Sequence, residues 1–178
     1  SNGKYYDQDA LILPEKITID GSEYEVTSIG SSAFYIRSSL KSISLPEVKS
    51  IGKNAFYDCI SLESINLAKV TEIYSYAFDR CRSLESISLP KVTSIGDYAF
   101  KKCNGRLESI NLPEVKSMGE HAFDGCSSLK SISLPEVTSV ERCTFSECSS
   151  LKSISLPKVT SIGDYAFDRC GNIQNAVV

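Results

Sequence analysis

The sequence is poor in the residues and motifs on which most catalytic and nucleic-acid-binding sites depend. Its 178 residues include one histidine, His121, and no Gly-x-Gly-x-x-Gly, Walker, Gly-x-Ser-x-Gly or His-Glu-x-x-His motif. The formal net charge is −3, without the basic face typical of nucleic-acid-binding proteins. No apolar run approaches the roughly 18 residues that span a bilayer. We therefore expect no enzyme activity, no nucleic-acid partner and no membrane insertion.

The sequence does contain a motif that recurs along almost its whole length. Six equivalent leucines follow one another at steps of 22, 22, 23, 22 and 22 residues: Leu45, Leu67, Leu89, Leu112, Leu134 and Leu156. The longer step comes from one extra residue in the segment 103–107. Repeats of this length are too small to bury their own apolar face and must stack on their neighbours. The period therefore predicts a solenoid.

Each repeat divides into three parts. The part Leu-x-x-Ile-x-Leu alternates and predicts a short strand, with leucine and isoleucine inward and Ser42, Ser44 and their equivalents outward. A proline ends this strand in most repeats, and Val-x-x-Ile-Gly then predicts a second short extended segment. The last part, x-x-Ala-Phe-x-x-Cys, has the spacing of one α or 3₁₀ turn. All seven phenylalanines lie in this last part, which predicts a buried aromatic spine.

Six of the seven cysteines share one position of the repeat, and Cys143 lies outside it. The six are Cys59, Cys81, Cys103, Cys126, Cys148 and Cys170. Parallel side chains directed into one core rarely have the dihedral angle of a disulfide. We expect this cysteine column to be reduced and buried. A line of thiols also lacks the convergent ligands of a zinc site, so we expect no metal and no other cofactor.

The two ends of the chain follow the same pattern. Residues 11–14 repeat the first strand in shortened form, and two alternating runs around Asp20-Gly21 predict a β-hairpin. We interpret residues 1–32 as an N-terminal cap whose hairpin shields the first coil. Residues 33–172 hold six to seven repeats, and 173–178 form a terminal strand with an exposed edge. The prediction is a single domain over residues 1–178.

The repeat Leu-x-x-Ile-x-Leu-Pro-x-Val-x-x-Ile-Gly-x-x-Ala-Phe-x-x-Cys resembles the BspA-like, or Treponema-type, leucine-rich repeats over residues 11–178. The resemblance implies an α/β repeat solenoid, a right-handed superhelix with a parallel sheet on its concave side. It also implies a secreted or cell-surface bacterial protein, with adhesion or host-protein binding as its role. Departures from the pattern include Tyr74 and Glu141 at the glycine position, where we expect local distortion.

Two surfaces are candidates for binding a partner. The glutamate stripe, Glu63, Glu85 and Glu108, follows one outward position of three neighbouring strands, where like charges cost stability. The serine and asparagine columns beside it lack the tyrosine, tryptophan and arginine anchors of strong binding sites. The tyrosine edge, Tyr74, Tyr76 and Tyr98, offers larger rigid groups, with His121 further along. We favour the tyrosine edge by a small margin.

A third candidate is a group of basic residues near the cysteine column. Its members are Arg80, Arg82, Lys101, Lys102 and Arg106. Such a cluster suits an acidic partner, although a solvated rim is the simpler interpretation.

The function predicted from the sequence is a non-catalytic protein-binding module. A single domain is expected to bind weakly, with useful adhesion arising from several copies. The alternative is a structural spacer that presents or assembles other domains. The terminal strand favours this alternative, because coils that stack end to end give self-association.

Overall fold

A computed structural model describes residues 9–171 and 173–177. These residues form 17 β-strands and no helix. In chain order the strands are β1 (Ala10–Ile12), β2 (Lys16–Ile19), β3 (Ser22–Glu25), β4 (Ser28–Ile29), β5 (Ser42–Ser44), β6 (Ser50–Ile51), β7 (Ser64–Asn66), β8 (Glu72–Ile73), β9 (Ser86–Ser88), β10 (Ser94–Ile95), β11 (Ser109–Asn111), β12 (Ser117–Met118), β13 (Ser131–Ser133), β14 (Ser139–Val140), β15 (Ser153–Ser155), β16 (Ser161–Ile162) and β17 (Asn175–Val177).

The strands build a parallel β-solenoid in which each repeat is one coil. One sheet has eight strands in the order β1-β5-β7-β9-β11-β13-β15-β17, so the predicted terminal strand is its eighth member. Its register sets equivalent residues side by side, as in Ile43 beside Ile65. The two-residue strands β4 to β12 form a second, five-stranded sheet. Both strand types predicted from the repeat are therefore present.

The third part of the repeat is not helical, which corrects the α/β class and the α or 3₁₀ turns predicted from the sequence. In the coil of Tyr98, alternate backbone N–H groups bond within the coil, as from Lys101 to the Tyr98 oxygen at 3.2 Å. The N–H groups between them donate to the next coil, as from Phe100 to the Ala122 oxygen at 2.8 Å. Tyr98 and Lys102 have left-handed φ angles of 58° and 55°. A right-handed helix cannot continue through such residues.

The core is a row of stacked side chains that runs the length of the solenoid. Neighbouring phenylalanine rings of all seven coils stack with centroids 5.0 to 5.7 Å apart. The five inner rings, from Phe56 to Phe145, have no exposed surface. Phe34 and Phe167, in the outermost coils, are partly buried. The predicted aromatic spine is confirmed.

The predicted hairpin is present, and its shielding role is not. Strands β2 and β3 pair antiparallel, and Asp20 and Gly21 both have positive φ, as a two-residue hairpin turn requires. Every residue of the two strands is exposed. Before the first full coil, Ile29 belongs to the core, and Leu11, Leu13 and Val26 pack against it. The division of the chain into cap, repeats and terminal strand stays a prediction.

The second sheet is interrupted once. Its five strands end at β12, and β14 pairs with β16 in a separate sheet. Glu141, at the glycine position, directly follows β14. A Cβ at the equivalent Gly96 would lie 2.6 Å from the Ser75 nitrogen, so this position is crowded. Tyr74 stands at the same position, yet β8 stays paired with β6. A side chain at the glycine position therefore does not by itself open the ladder.

Candidate functional site

Tyr74 is the exposed member of the tyrosine edge. It follows β8 at a position that is glycine in the coils on either side, Gly52 and Gly96. Half of its surface is exposed, at 50%. Its hydroxyl donates to Glu72 Oε2 at 2.9 Å, and this hydrogen bond to a carboxylate raises the Tyr74 pKa. The ring therefore projects between two positions that carry no side chain, and its hydrogen bond to Glu72 fixes its orientation.

The other two tyrosines are separated from Tyr74 by their packing. The rings of Tyr76 and Tyr98 stack with centroids 4.7 Å apart, and His121 stacks on Tyr98 at 4.6 Å. All three are only partly exposed, and all three have left-handed backbones. The three predicted tyrosines therefore do not form one uniform surface. Tyr76 and Tyr98 stack on each other and are partly buried, whereas Tyr74 is exposed and bonds to Glu72.

A polar cluster that the sequence did not reveal lies beneath this stack. Lys101 Nζ lies 5.1 Å from the Tyr98 ring centroid and 2.8 Å from Asp124 Oδ2. The same carboxylate oxygen lies 3.0 Å from His121 Nδ1. Burial works to lower the Lys101 pKa, but the hydrogen bond and charge of Asp124 raise it overall. Residues 23 positions apart meet here because they occupy one column of successive coils.

Asp79 lies in the same column as Lys101. Among the described residues, it is the carboxylate that is buried. It is 4% exposed, and its Oδ1 has no hydrogen-bond partner among the described residues. Loss of solvation raises the Asp79 pKa to about 6, although Arg80 and Lys101 act to lower it. A carboxyl group in this environment favours the protonated form more than a solvated one does.

The glutamate stripe lies on the outward side of the eight-stranded sheet, as predicted. All three of its members are exposed. Glu85 pairs with Arg106, and Glu108 pairs with Lys130 at 2.6 Å. Arg106 belongs to the segment with the extra residue, which the sequence assigned to a basic cluster instead. The insertion therefore supplies a cation that relieves the repulsion in the stripe.

The serine face, the outward side of the eight-stranded sheet, is shallow. Two open depressions of about 380 and 270 Å³ lie over β1, β5 and β7 and over β11, β13 and β15. Neither has an ionisable residue in its lining. Within residues 9–171 and 173–177, no three His, Cys, Asp or Glu side chains are grouped to hold a metal ion. These depressions offer nothing to raise the pKa of an acid or to activate a nucleophile.

The described part of the chain contains no helix with the length and apolar character that crossing a bilayer requires.

Stacked coils of 22 to 23 residues, a parallel sheet and an inward ladder of leucine, isoleucine and phenylalanine define a leucine-rich-repeat solenoid. The model of the BspA type leucine rich repeat region, in 6 copies, matches residues 14–129 and 93–178. The chain belongs to this family. A comparison with curated protein sequences gives no match.

Solved structures similar to the chain are bacterial leucine-rich repeat proteins. One from Bacteroides ovatus ATCC 8483 is 36% identical with a TM-score of 0.87, over 95% of this chain and 45% of that one. The leucine-rich repeat protein of T. pallidum is 33% identical with a TM-score of 0.85, over 94% of this chain and 78% of that one. A leucine-rich cell surface protein from Faecalibacterium prausnitzii A2-165, 23% identical over 97% of this chain and 70% of that one, shares the fold with a TM-score of 0.51. The chain thus spans less than half of the Bacteroides ovatus protein.

Proposed function

We propose that the chain is a non-catalytic protein-binding module of a secreted or cell-surface protein, with adhesion or partner-protein binding as its role. Leucine-rich repeats are generally protein-interaction scaffolds, and the chain consists of them. The cell-surface description of the Faecalibacterium prausnitzii protein agrees with the proposed location. The observation that carries the proposal is Tyr74, half exposed between two glycine positions and oriented by Glu72.

Tyr74 fits a binding role for a physical reason. An exposed aromatic ring in a soluble domain gains nothing from the core, whereas it buries a large area at low entropic cost when a partner covers it. The Glu72 carboxylate beside it adds a hydrogen-bond acceptor and a negative charge. Tyr76 and Tyr98, which stack on each other, support the neighbouring turn and contribute less exposed area.

The experiment is a binding screen of the purified domain against immobilised extracellular proteins and glycans. For any partner found, we expect Tyr74→Ser to weaken binding at least tenfold. Tyr165→Ser, which removes an even more exposed tyrosine from another coil, is the matched control and should change little. A triple Glu→Gln variant of Glu63, Glu85 and Glu108 tests the glutamate stripe. Loss of binding in that variant alone would assign the site to the stripe instead.

The same screen separates weak from strong binding. Shallow, wet surfaces such as the serine face suit weak contacts that become useful through several linked copies. We expect micromolar or weaker affinity from one domain and a large gain from a tandem fusion. Nanomolar binding by a single domain would show that multivalency is unnecessary.

The alternative proposal is a structural spacer or assembly domain. It draws on β17, which pairs with β15 and whose residues are exposed. If coils stack between molecules, the sedimentation coefficient will rise with protein concentration. Ala176→Pro should abolish this rise, because proline cannot donate a ladder hydrogen bond. A monomer at all concentrations would remove self-association from consideration.

A further inference from the structure

Ile36 occupies a position that neither packing nor backbone preference explains. It is 50% exposed, and its φ is 55°. A β-branched residue with positive φ is a genuine outlier. In the coils that follow, the equivalent residues are Asp58, Arg80, Lys102, Gly125, Glu147 and Arg169. Five of these six residues are charged and one is glycine, so an exposed isoleucine sets this coil apart. The left-handed φ itself recurs in every coil and is a feature of the repeat.

Three further exposed or partly exposed apolar residues lie with Ile36 in the first two full coils. Tyr35 is 46% exposed, and its ring stacks on Tyr57 with centroids 5.0 Å apart. The Ile36 N–H donates to the Tyr57 oxygen at 2.8 Å, which sets the two coils side by side. Ile60, three residues after Tyr57, is 41% exposed. We call Tyr35, Ile36, Tyr57 and Ile60 the apolar corner.

The next coils continue this surface with cations. The Arg80 guanidinium lies 5.7 Å from the Tyr57 ring centroid, so it borders the apolar corner directly. Arg82 and Lys102 are exposed, and neither forms an ion pair with any residue between 9 and 171 or 173 and 177. The other two members of the predicted basic cluster, Lys101 and Arg106, are neutralised by Asp124 and Glu85. The unpaired charge is therefore concentrated beside the apolar corner.

We propose that the apolar corner and its neighbouring cations form a second docking surface, separate from Tyr74, for an extended protein segment that carries one apolar side chain followed by acidic residues. The apolar side chain covers Ile36 and Tyr35, and the carboxylates meet Arg80, Arg82 and Lys102. Tyrosine, arginine and a buried apolar anchor are the composition of strong binding sites.

The spacing of the coils fixes the register of such a segment. Neighbouring strands lie about 4.8 Å apart, so two coils separate Ile36 from Arg80 by about 10 Å and three separate it from Lys102 by about 14 Å. An extended chain advances about 3.3 Å per residue. Side chains alternate between the two faces of an extended chain, so with its anchor at Ile36 the segment presents acidic residues two and four positions further along. These lie about 7 and 13 Å from the anchor, within reach of the long side chains of Arg80 and Lys102.

A protein segment fits this surface better than a lipid bilayer. Asp58 occupies the same column between Ile36 and Arg80, and it is partly buried there. Insertion of the apolar corner into a membrane would strip water from this carboxylate, which is unfavourable without a buried cation. A peptide that lies across the coils leaves Asp58 accessible to water.

The probe is a set of fluorescent nine-residue peptides with Leu or Phe at one position and two glutamates two and four residues later. The comparison peptides carry the glutamates two and four residues earlier, or alanine in place of the anchor. We expect fluorescence anisotropy to detect binding of the first design. Both comparison designs should bind at least tenfold more weakly. Equal binding of all designs, or of none, overturns the proposal. Preferential binding to phosphatidylcholine–phosphatidylserine vesicles, without discrimination among the peptides, assigns the surface to a membrane and overturns it as well.

Variants separate docking from folding. Ile36→Asn removes the apolar side chain that the peptide's anchor covers. It suits the left-handed backbone, because asparagine tolerates positive φ. We expect at least tenfold weaker binding of the first peptide with an unchanged or higher unfolding midpoint. Arg169→Asn, at the same position of the last coil, is the matched control and should leave binding unchanged. An Ile36→Asn variant that unfolds more easily would show a structural role and contradict the proposal. Tyr74→Ser should not affect these peptides, so this surface and the tyrosine edge fail or succeed separately.

Discussion

The Cys81 thiol donates a hydrogen bond to the carbonyl oxygen of Phe56 in the preceding coil, at an Sγ–O distance of 3.1 Å. The same link recurs for all six members of the cysteine column, from Cys59 to Cys170, at 3.0 to 3.2 Å. The Phe56 oxygen also accepts from the backbone N–H of Cys59 at 3.2 Å. Each thiol thus connects its coil to the one before, which gives the cysteine column a structural role beyond filling space.

The first prediction is that these thiols react slowly in the folded protein. All seven cysteines are free, and six of them are buried. Burial raises the pKa of Cys59 and of Cys170 to about 11, so little reactive thiolate is present at neutral pH. Titration with a thiol reagent should detect few groups in native protein and about seven after unfolding. Cys170, the least buried of the column, should be labelled first, and a disulfide between two column members would contradict this prediction.

The second prediction concerns the aromatic spine. Phe100 has no exposed surface and stacks between Phe78 and Phe123. We expect Phe100→Ala to lower the free energy of unfolding by about 3–5 kcal/mol, because it removes a buried ring and leaves a cavity. Denaturant titration measures this loss. A decrease below about 1 kcal/mol would remove the spine from the account of stability.

The third prediction is that Asp79→Asn stabilises the protein at neutral pH. The pKa of Asp79 in the fold is about 6, whereas an unfolded aspartate has a pKa of about 3.9. Its protonated form favours folding, so its contribution is complete below about pH 3.9 and is lost as the pH rises through 6. Asparagine resembles the protonated group at every pH. Because solvent reduces such effects, we expect a gain of about 1–2 kcal/mol at pH 8.

The pH series supplies the control for Asp79. Below pH 4 the variant and the native chain should unfold at similar denaturant concentrations, because both then carry a neutral group. Asp168→Asn, which changes an exposed aspartate of the same column, should have little effect at either pH. Destabilisation by Asp79→Asn at pH 8 would mean that the charged carboxylate is satisfied in the fold.

The fourth prediction concerns the left-handed residues that recur twice in each coil. Glu147 has a φ of 59°, and the equivalent residue one coil earlier is Gly125. A left-handed backbone costs a residue with a side chain about 1–2 kcal/mol, and glycine avoids this cost. Glycine loses more conformational entropy on folding, which offsets about 0.5–1 kcal/mol of that gain. Glu147→Gly should therefore stabilise by about 0.5–1 kcal/mol. Glu114→Gly, at an exposed residue without positive φ, should destabilise instead, and the same sign for both variants would contradict this interpretation.

Much of the fold was predictable because the same residue pattern recurs in successive repeats. The alternation around Ile43, the glycine after Ile51 and the shared slot of Phe56 recur in coil after coil, so chance resemblance is averaged out. The turn segment was the exception. Ala55, Phe56 and Cys59 have the spacing of a helical face, but the backbone between them donates half of its hydrogen bonds to the next coil. Local spacing does not carry that information.

The candidate surfaces were predictable only as columns. The sequence placed Tyr74, Tyr76 and Tyr98 on one edge, but it could not tell that two of them stack and the third projects. It assigned Lys101 and Arg106 to one basic cluster, although each is paired with a carboxylate. It did not single out Tyr35 or Ile36, because neither exposure nor backbone strain is visible in residue type.

The sequence alone determined the stacked architecture, the inward columns and the family, since each depends on periodicity along one dimension. Only the tertiary structure decided which side chains of neighbouring columns meet. The contacts of Tyr74 with Glu72, of Lys101 with Asp124 and of Arg80 with Tyr57 depend on rotamers, on left-handed turns and on the lateral register of coils. Those quantities follow from packing against the next coil, which no single repeat specifies.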